Sequence, residues 1–363
     1  MRGEVDPRGH LFGDFSPVSR VPPDHPLRAI TYYADQALAS LGQILTSMYR
    51  ETGRPSIPPE RLLKAPLLMA LYSVRSDRLF CEQLSYNILF RWFLDRGLEE
   101  PSFDASTFSK NRERLIRHET ALRFFDAVVR LARGKGLLSE EHFSVDGTLI
   151  EAWASLKSIK RKGRHDQGPP DDPGNPTVDF HNEVRSNGTH ESTIDPEARL
   201  AKKGAGKEAK RAFCGNALMD NGNGLLLDIE IRQASGFAER EGALDLLKRQ
   251  ARKRVRPQTV GADRGYHTRD FVAQLRTRGI APHIACIGRR ATPGLDGRTI
   301  RHAGYIHSQR SRKRIEEIFG WLKTVGGLRK SRMNGVARTE LAAHLAGAAY
   351  NLHRISRLCP ATG

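Results

Sequence analysis

The sequence predicts an α/β protein: a mixed sheet flanked by helices, preceded by an all-helical N-terminal region. Two observations predict it. From about residue 27 to 140 the apolar residues recur at three- and four-residue intervals, which is the period of helices that bury one face. After Phe143 strands come first and then alternate with helices, and that order indicates a mixed sheet with helices on its faces.

The first part of the chain divides into an arm and a set of helices. Residues 1–26 are rich in Pro, Gly and charge, so they predict an irregular arm. Within residues 27–140, three segments carry an apolar helical face. They are "RLLKAPLLMALYSV" (61–74), "CEQLSYNILFRWFL" (81–94) and "ALRFFDAVVRLARG" (121–134).

A basic helix is predicted between the second and third of these. "FDASTFSKNRERL" (103–115) offers Asp104 or Ser106 as the N-cap of a helix over 106–118. Its basic residues include Lys110, Arg112 and Arg114. A basic helix in a small helical bundle suits docking in the major groove of DNA, although an ordinary solvated helix face explains the pattern equally well.

The second part begins with strands and contains a long polar segment. Residues 157–211 predict a polar loop insertion, and 212–232 predict a β-hairpin. The remaining elements alternate. They are a helix over 239–254, a strand over 259–263, a helix over 269–279, a strand over 280–286 and a helix over 308–325 that ends at Gly326 and Gly327.

The charge balance points to the partner. The chain has 363 residues, and its 59 Lys and Arg outnumber 41 Asp and Glu, which gives a formal net charge of +18. Double-stranded DNA is the first candidate for a partner of so basic a chain. A membrane surface is the second, but no apolar stretch is long enough to span a membrane and no amphipathic anchor occurs.

The cysteines and the first residues help to predict the cellular compartment of the protein. The four cysteines lie far apart with no CxxC pair, so the sequence predicts neither a zinc finger nor a disulfide framework. "MRGEVDPRGH" (1–10) contains no hydrophobic signal region. We therefore expect a cytoplasmic protein with reduced thiols.

Each of two predicted strands contains an aspartate, although aspartate is uncommon in strands. In "HFSVDGTLIEAW" (142–153), Asp146 interrupts a half-buried strand, although strands are depleted in Asp because burial strips a carboxylate of water. Asp263 ends the strand in "TVGAD" (259–263). Each Asp alone is more typical of a turn or cap. Two of them in one basic domain indicate a shared cation.

The helix over 308–323 adds a third acid. With Ile315 at 0°, its apolar residues fall within roughly 60° and form a buried stripe. Arg312, Glu316 and Lys323 form a second, charged stripe at roughly 60–100°. A solvated face of paired charges would explain this stripe as well. Alternatively, a carboxylate between two cations can meet a metal and a phosphate together.

Three segments resemble the acidic motifs of bacterial insertion-sequence transposases of the DDE type. They are "SVDGTLIEA" (144–152), "GADRGY" (261–266) and "RKRIEEIFGWLK" (312–323). The likeness is strongest to the family four/five group, which carries a Tyr-Arg-Glu-Lys signature. Arg312, Glu316 and Lys323 fit its spacing, and Gln309 occupies the Tyr position. The likeness runs from about residue 24 to the C-terminus.

The resemblance implies a ribonuclease H-like catalytic domain over 141–363 and a transposon-end-binding domain over 27–140. The residues that it implies as catalytic and as ligands of two Mg²⁺ ions, for which Mn²⁺ can substitute, are Asp146, Asp263 and Glu316. Those that it and the basic helix imply as DNA contacts are Arg312, Lys323, Gln309, Lys110, Arg112 and Arg114.

The activity implied by the resemblance is cleavage at the terminal inverted repeats, followed by attack of the freed 3′-hydroxyl on target DNA. Two metal ions would stabilise the attacking and the leaving oxygen. Joining two ends implies a homodimer when DNA is bound, and the setting implied is the nucleoid of a bacterial cytoplasm.

Two other functions fit the same scaffold: a DNA-binding regulator that has lost catalysis, and a hydrolytic nuclease. The complete Asp-Asp-Glu set favours a transposase, because a regulator needs no metal-binding acids. Trp153, which follows the first motif, is predicted to lie in the core rather than to act as a platform for base stacking.

Overall fold

The computed structural model describes residues 17–48, 56–117, 119–139, 141–154, 158–162, 178–180, 183–204, 206–286 and 295–360. The side chains of 112, 113, 117 and 178–185 are not part of that description.

Helices occupy the described residues before the first strand. They are α1 (Pro17–Arg20), α2 (Pro26–Ala39), α3 (Gly42–Ser47), α4 (Pro59–Leu71), α5 (Asp77–Tyr86), α6 (Ile88–Phe93), α7 (Ala105–Arg117) and α8 (Thr120–Gly134). The helix α1 lies inside the segment that the sequence predicts to be irregular, and residues 1–16 of that segment lie outside the described residues.

Local side-chain chemistry sets two helix boundaries here. The sequence predicts one helix over 81–94, and that prediction is wrong: Asn87 leaves the helical conformation, and its Oδ1 accepts the Phe90 N–H at 3.1 Å. A side chain that satisfies the first free N–H groups begins a new helix. The Oδ1 of Asp104 accepts the Thr107 N–H at 2.8 Å in the same way, which confirms it as the residue that starts α7.

The strands and the later helices alternate as the sequence predicts. The strands are β1 (His142–Glu151), β2 (Ile159–Arg161), β3 (Val178–Phe180), β4 (Glu183–Arg185), β5 (His190–Ser192), β6 (Arg199–Ala201), β7 (Lys210–Asp220), β8 (Leu226–Gln233), β9 (Thr259–Ala262) and β10 (Ala281–Ile284). The helices are α9 (Ala238–Arg252), α10 (Arg269–Thr277), α11 (Gly297–Arg301), α12 (Ala303–Ser311), α13 (Arg314–Thr324) and α14 (Val336–Leu358).

The main sheet has the order β10-β9-β1-β7, with β8 and β6 both pairing with β7. β1, β7 and β8 are antiparallel, whereas β1, β9 and β10 are parallel. Three antiparallel strands followed by two parallel ones, with helices between the later strands, form the ribonuclease H-like mixed sheet that the resemblance implies.

The polar segment 157–211 contains more regular structure than the sequence indicates. β2 pairs with β5, β3 pairs with β4, and β6 joins the main sheet. These three-residue strands are too short and too polar to show an alternating apolar face, so only their partners reveal them. Residues 163–177 of this segment lie outside the described residues.

The helix predicted over 308–325 is divided between α12 and α13. At the junction, the Lys313, Ile315 and Glu316 N–H groups each bond to the carbonyl three residues earlier instead of four. This is one tight turn of 3₁₀ type, and it separates α13 from α12. α12 packs on β9 and β10, while α13 packs on β1.

A single core joins the N-terminal helices to the sheet, because α14 lies between them. A Cβ atom built on Gly347 would stand 2.8 Å from Leu226 of β8 and 3.1 Å from Phe125 of α8. Asn351 binds both the N–H and the carbonyl of Leu226, at 2.9 and 2.7 Å. Among the described residues, none of the helices is long and apolar enough to cross a membrane.

Candidate active site

Asp146 lies in the middle of the sheet, on the face covered by α12 and α13. Side chains alternate along β1, so Ser144, Asp146 and Thr148 share one face. Ser144 and the Cβ of Arg312 both lie close to Gly261 on that face. Lys323 Nζ donates a hydrogen bond to Thr148 Oγ1 at 2.5 Å. Asp146 therefore lies between the two basic residues of the third motif.

Asp263 lies beside Asp146 where the two parallel strands end their pairing. Ser144 pairs with Gly261, and two residues further along each strand are Asp146 and Asp263. The Oδ1 of Asp263 accepts the Gly265 N–H at 2.8 Å and begins a 3₁₀ turn over Arg264–Tyr266. The chain bends there, which leaves the Asp263 carboxylate partly exposed at the end of the strand.

Electrostatics show that the charge of Asp263 acts on Asp146. Burial raises the pKa of the Asp146 carboxyl from 3.8 to about 7. The negative charges of Asp263 and Glu239 raise this pKa, whereas the hydrogen bond from the Gly147 N–H and the positive charge of Arg312 lower it. An acid that is this hard to ionise lacks enough positive charge around it, which is the condition a bound cation relieves.

Glu239 is an acid that the sequence analysis missed. It lies in the first turn of α9 and packs against Gly147, since a Cβ atom at 147 would stand 2.4 Å from its Cγ. Burial raises the pKa of Glu239, and the charge of Asp263 raises it further. The signal in the sequence was Gly147, because a glycine inside a strand marks a close approach by another group.

The buried hydroxyl of Tyr266 is a further polar group near these acids. Tyr266 follows Asp263 in "DRGY", is fully buried, and finds no hydrogen-bond partner for its hydroxyl among the described residues. The charges of Glu239, Asp146 and Asp263 all act on it and, together with burial, raise its pKa. Carboxylate oxygens are the donors that hard divalent cations prefer, so the chemistry of these residues fits such an ion.

The third predicted ligand, Glu316, does not form a compact group with Asp146 and Asp263 within the described residues. It is exposed in the first turn of α13, between Arg312 and Lys323 in sequence. Its neighbour Glu317 is also exposed, and the charge of Glu317 acts on Tyr350 of α14, away from Asp146. Among the described residues, no three His, Cys, Asp or Glu side chains are grouped closely enough to form a complete metal site.

The basic residues of the third motif are held in place by the ends of the strands. Gln309 donates through its amide to the carbonyls of Ala262 and His283, and its Oε1 accepts the Arg312 Nε–H at 3.0 Å. Gln309 thus joins the ends of β9 and β10 to Arg312. Burial lowers the pKa of Lys323, as do the nearby charges of Lys203 and Arg329.

The other predicted contacts lie in the helical region. Lys110 is exposed on α7 and Arg114 is half-buried, while the side chain of Arg112 lies outside the described residues. The prediction that Trp153 belongs to the core is wrong: 51% of this residue is exposed. Its place directly after a strand suggested burial, but the chain bends at Trp153 and turns the indole outwards.

Two family descriptions match the chain. Residues 15–114 match a family described as Transposase domain (DUF772), and residues 139–352 match a family described as Transposase DDE domain. Among curated proteins, none matches the sequence.

Two solved structures are similar at low identity. One is a cryo-EM structure of a piggyBac transposase synaptic complex with hairpin DNA, at 10% identity and a TM-score of 0.37, with 92% of this chain and 76% of that chain covered. The other is a crystal structure of a pre-cleavage Mos1 transpososome, at 11% identity and a TM-score of 0.20, with 84% and 80% covered.

The match to the DDE domain spans more than half of the chain and includes Asp146, Asp263 and Glu316. Domains of this family use divalent metal ions. The chain therefore belongs to the transposases that carry a DDE domain, and it is a DDE transposase of the insertion-sequence type.

Proposed function

We propose that this transposase binds the terminal inverted repeats of its element, cleaves the DNA there and joins the freed 3′-hydroxyl to target DNA. The observation that supports this most directly is the position of Asp146 beside Asp263, at the point where β1 and β9 part. An acid whose ionisation is made costly by burial and by the neighbouring charge of Asp263, with Arg312 and Lys323 on the same face, suits a site that holds divalent cations against phosphates.

The residues take the following parts in this proposal. Asp146 and Asp263 hold the cations, and Glu316 completes the set from α13. Bound Mg²⁺, or Mn²⁺ in its place, would supply charge stabilisation at the attacking and leaving oxygens. Arg312 binds a phosphate through the guanidinium N–H groups that Gln309 leaves free, and Lys323 acts as a point charge. Gln309 thereby acts on DNA by orienting Arg312.

DNA recognition is assigned to the helical region before the sheet. The net charge of +18 favours a polyanion, and Lys110 lies exposed on α7 with Arg112 and Arg114 on the same helix. Most of the affinity would come from phosphate contacts, and base contacts would select the repeats. Joining two ends requires both to be held together, so we propose a homodimer on DNA.

The test is cleavage and joining of a labelled transposon end by the wild type and by Asp146→Asn and Asp263→Asn. Each change keeps the size of the side chain and removes the charge that holds the cation. We expect both variants to bind the end normally and to cleave none. Near-normal cleavage by either variant would contradict the role of its acid. Cleavage by the wild type without joining would instead identify a nuclease, and binding without cleavage a regulator.

A further inference from the structure

Trp153 is an exposed aromatic residue at the end of the central strand. It follows β1 by two residues, and 51% of it is accessible to solvent. A single exposed ring is ordinary on a protein surface, so the significance of Trp153 depends on the residues beside it.

A basic segment is held against this ring. The Glu151 N–H donates to the Arg329 carbonyl at 3.1 Å, and the Ser331 N–H donates to the Glu151 carbonyl at 2.6 Å. Residues 329–332 therefore run beside the end of β1 as a short parallel extension of the sheet. This pairing fixes the basic side chains of the segment relative to Trp153.

Two cations of that segment lie over the indole ring. The Nζ of Lys330 is 5.3 Å from the centre of the Trp153 ring, and the Cζ of Arg332 is 5.9 Å from it. Both residues are exposed, and neither forms an ion pair with an acid of the described part of the chain. The surface therefore combines a half-exposed aromatic ring with two cations that form no ion pair within the described part of the chain.

Positive charge connects this surface to the acids. Lys323 is bound to Thr148, one strand repeat beyond Asp146, and the charge of Arg329 acts on Lys323. The basic residues thus continue alongside β1 from Asp146 towards Trp153. The seven residue steps from Asp146 to Trp153 span at most about 23 Å at 3.3 Å per step. In B-form DNA that length corresponds to about seven base-pair steps.

We propose that Trp153, Lys330 and Arg332 form a stacking site for an unpaired nucleobase of the DNA strand that leads away from the acids. The inference rests on the proposed function. The indole stacks on the base, and the two cations bind the phosphates on either side of it. Aromatic rings interleaved with cations are typical of proteins that hold single strands. In duplex DNA the bases stack on one another and cannot stack on the indole. The duplex would therefore contact only Lys330 and Arg332.

The test compares two DNA probes bound by the full-length protein without divalent metal. One probe is a blunt duplex, and the other carries a short unpaired end with 2-aminopurine at the base expected to stack. We expect the wild type to quench the fluorescence of the unpaired probe. Trp153→Ala should remove the quenching and weaken that complex about 5- to 150-fold, which is the usual contribution of one stacked base. Blunt-duplex binding should change little.

Three further variants separate stacking from misfolding and from charge. Trp153→Phe keeps a ring and should keep most of the quenching. Leu358→Ala removes an exposed apolar side chain at the end of α14, outside the helical region assigned to DNA recognition, and should change neither probe. Lys330→Ala should weaken both probes and reduce the slope of log affinity against log salt by about 0.9.

The outcomes distinguish this inference from the proposed function. Unchanged quenching and affinity in Trp153→Ala, while the wild type still cleaves transposon ends, would overturn the stacking site alone. Normal stacking by a wild-type protein that cleaves no end would support the site and overturn the proposed catalysis. Equal weakening of both probes by Trp153→Ala would also overturn the stacking site, because it would assign the ring to duplex binding.

Discussion

Glu239 occupies the space that a side chain at Gly147 would need: a Cβ atom there would stand 2.4 Å from the Cγ of Glu239 and 3.0 Å from its Oε1. The contact brings a third carboxylate to Asp146 and Asp263 from the opposite face of the sheet. It also explains why a glycine follows Asp146 in the middle of a strand, where glycine normally weakens the sheet.

Gly147→Ala is expected to displace Glu239 and to lower the free energy of unfolding by about 1–3 kcal/mol, the usual cost of overpacking. The displaced carboxylate should also weaken Mg²⁺ binding, measured by calorimetry. Gly134→Ala at the end of α8 is the control, because a Cβ atom there meets nothing within 4 Å. Equal stability of Gly147→Ala and wild type would show that Glu239 moves aside freely.

Glu239→Gln is expected to weaken Mg²⁺ binding about 10- to 100-fold, which is the usual effect of losing a residue that supports metal ligands. The substitution keeps the size of the side chain, so stability in the absence of metal should not fall. Glu241→Gln is the matched control: Glu241 lies in the same first turn of α9, is exposed and binds Arg232 at 3.1 Å. Identical Mg²⁺ affinities for the two variants would remove Glu239 from the site.

Glu316→Gln is expected to reduce DNA cleavage in Mg²⁺ by more than about 100-fold, and Glu317→Gln to keep most of it. Both residues are exposed in the first turn of α13, but the charge of Glu317 acts on Tyr350 of α14. Cleavage of a labelled transposon end by both variants provides the comparison. If Glu317 proved essential and Glu316 dispensable, the alignment of the third motif would be wrong by one residue.

The stability of the metal-free protein is expected to fall as the pH rises from about 4 to about 7. Asp146 has a pKa of about 7 in the folded protein and 3.8 as its ordinary value, so folding favours its protonated form. The stability that this group contributes is complete below the lower pKa and is lost as the pH rises through the upper one.

Denaturant unfolding at about pH 5 and about pH 8 measures this loss, and Asp146→Asn should show less of it. Mg²⁺ should stabilise the wild type more at the higher pH, because the cation binds the ionised carboxylate. A wild type that is more stable at the higher pH without metal, with the difference abolished in Asp146→Asn, would contradict the raised pKa.

Lys110→Ala is expected to reduce the salt dependence of binding to transposon ends, with a change of about 0.9 in the slope of log affinity against log salt. Lys110 is exposed on α7, where a phosphate can reach it. The measurement is fluorescence anisotropy with full-length protein over a range of salt concentrations. Arg357→Ala, an exposed change near the end of α14, should leave the slope unaltered. Equal slopes for Lys110→Ala and wild type would exclude α7 from the contacts.

The sequence by itself determined the fold class and the place of the two strand-borne acids. Alternating apolar residues predict β1 and β8, and three- and four-residue spacing predicts α4 and α8, because each of these elements must bury one face. The same rule places Asp146 within a strand and Asp263 at a strand end. The buried stripe of Ile315, Ile318, Phe319 and Leu322 in α13 is also confirmed.

Only the tertiary structure decided what surrounds those acids. Glu239 is 93 residues from Asp146 in sequence, and its charge acts on Asp146 because α9 packs against β1 at Gly147. The turn between α12 and α13 depends on packing against different strands, so helical periodicity could not reveal it. The basic segment 329–332 lies beside Trp153 because it pairs with the end of β1, and such a pairing between distant segments leaves no local pattern in the sequence.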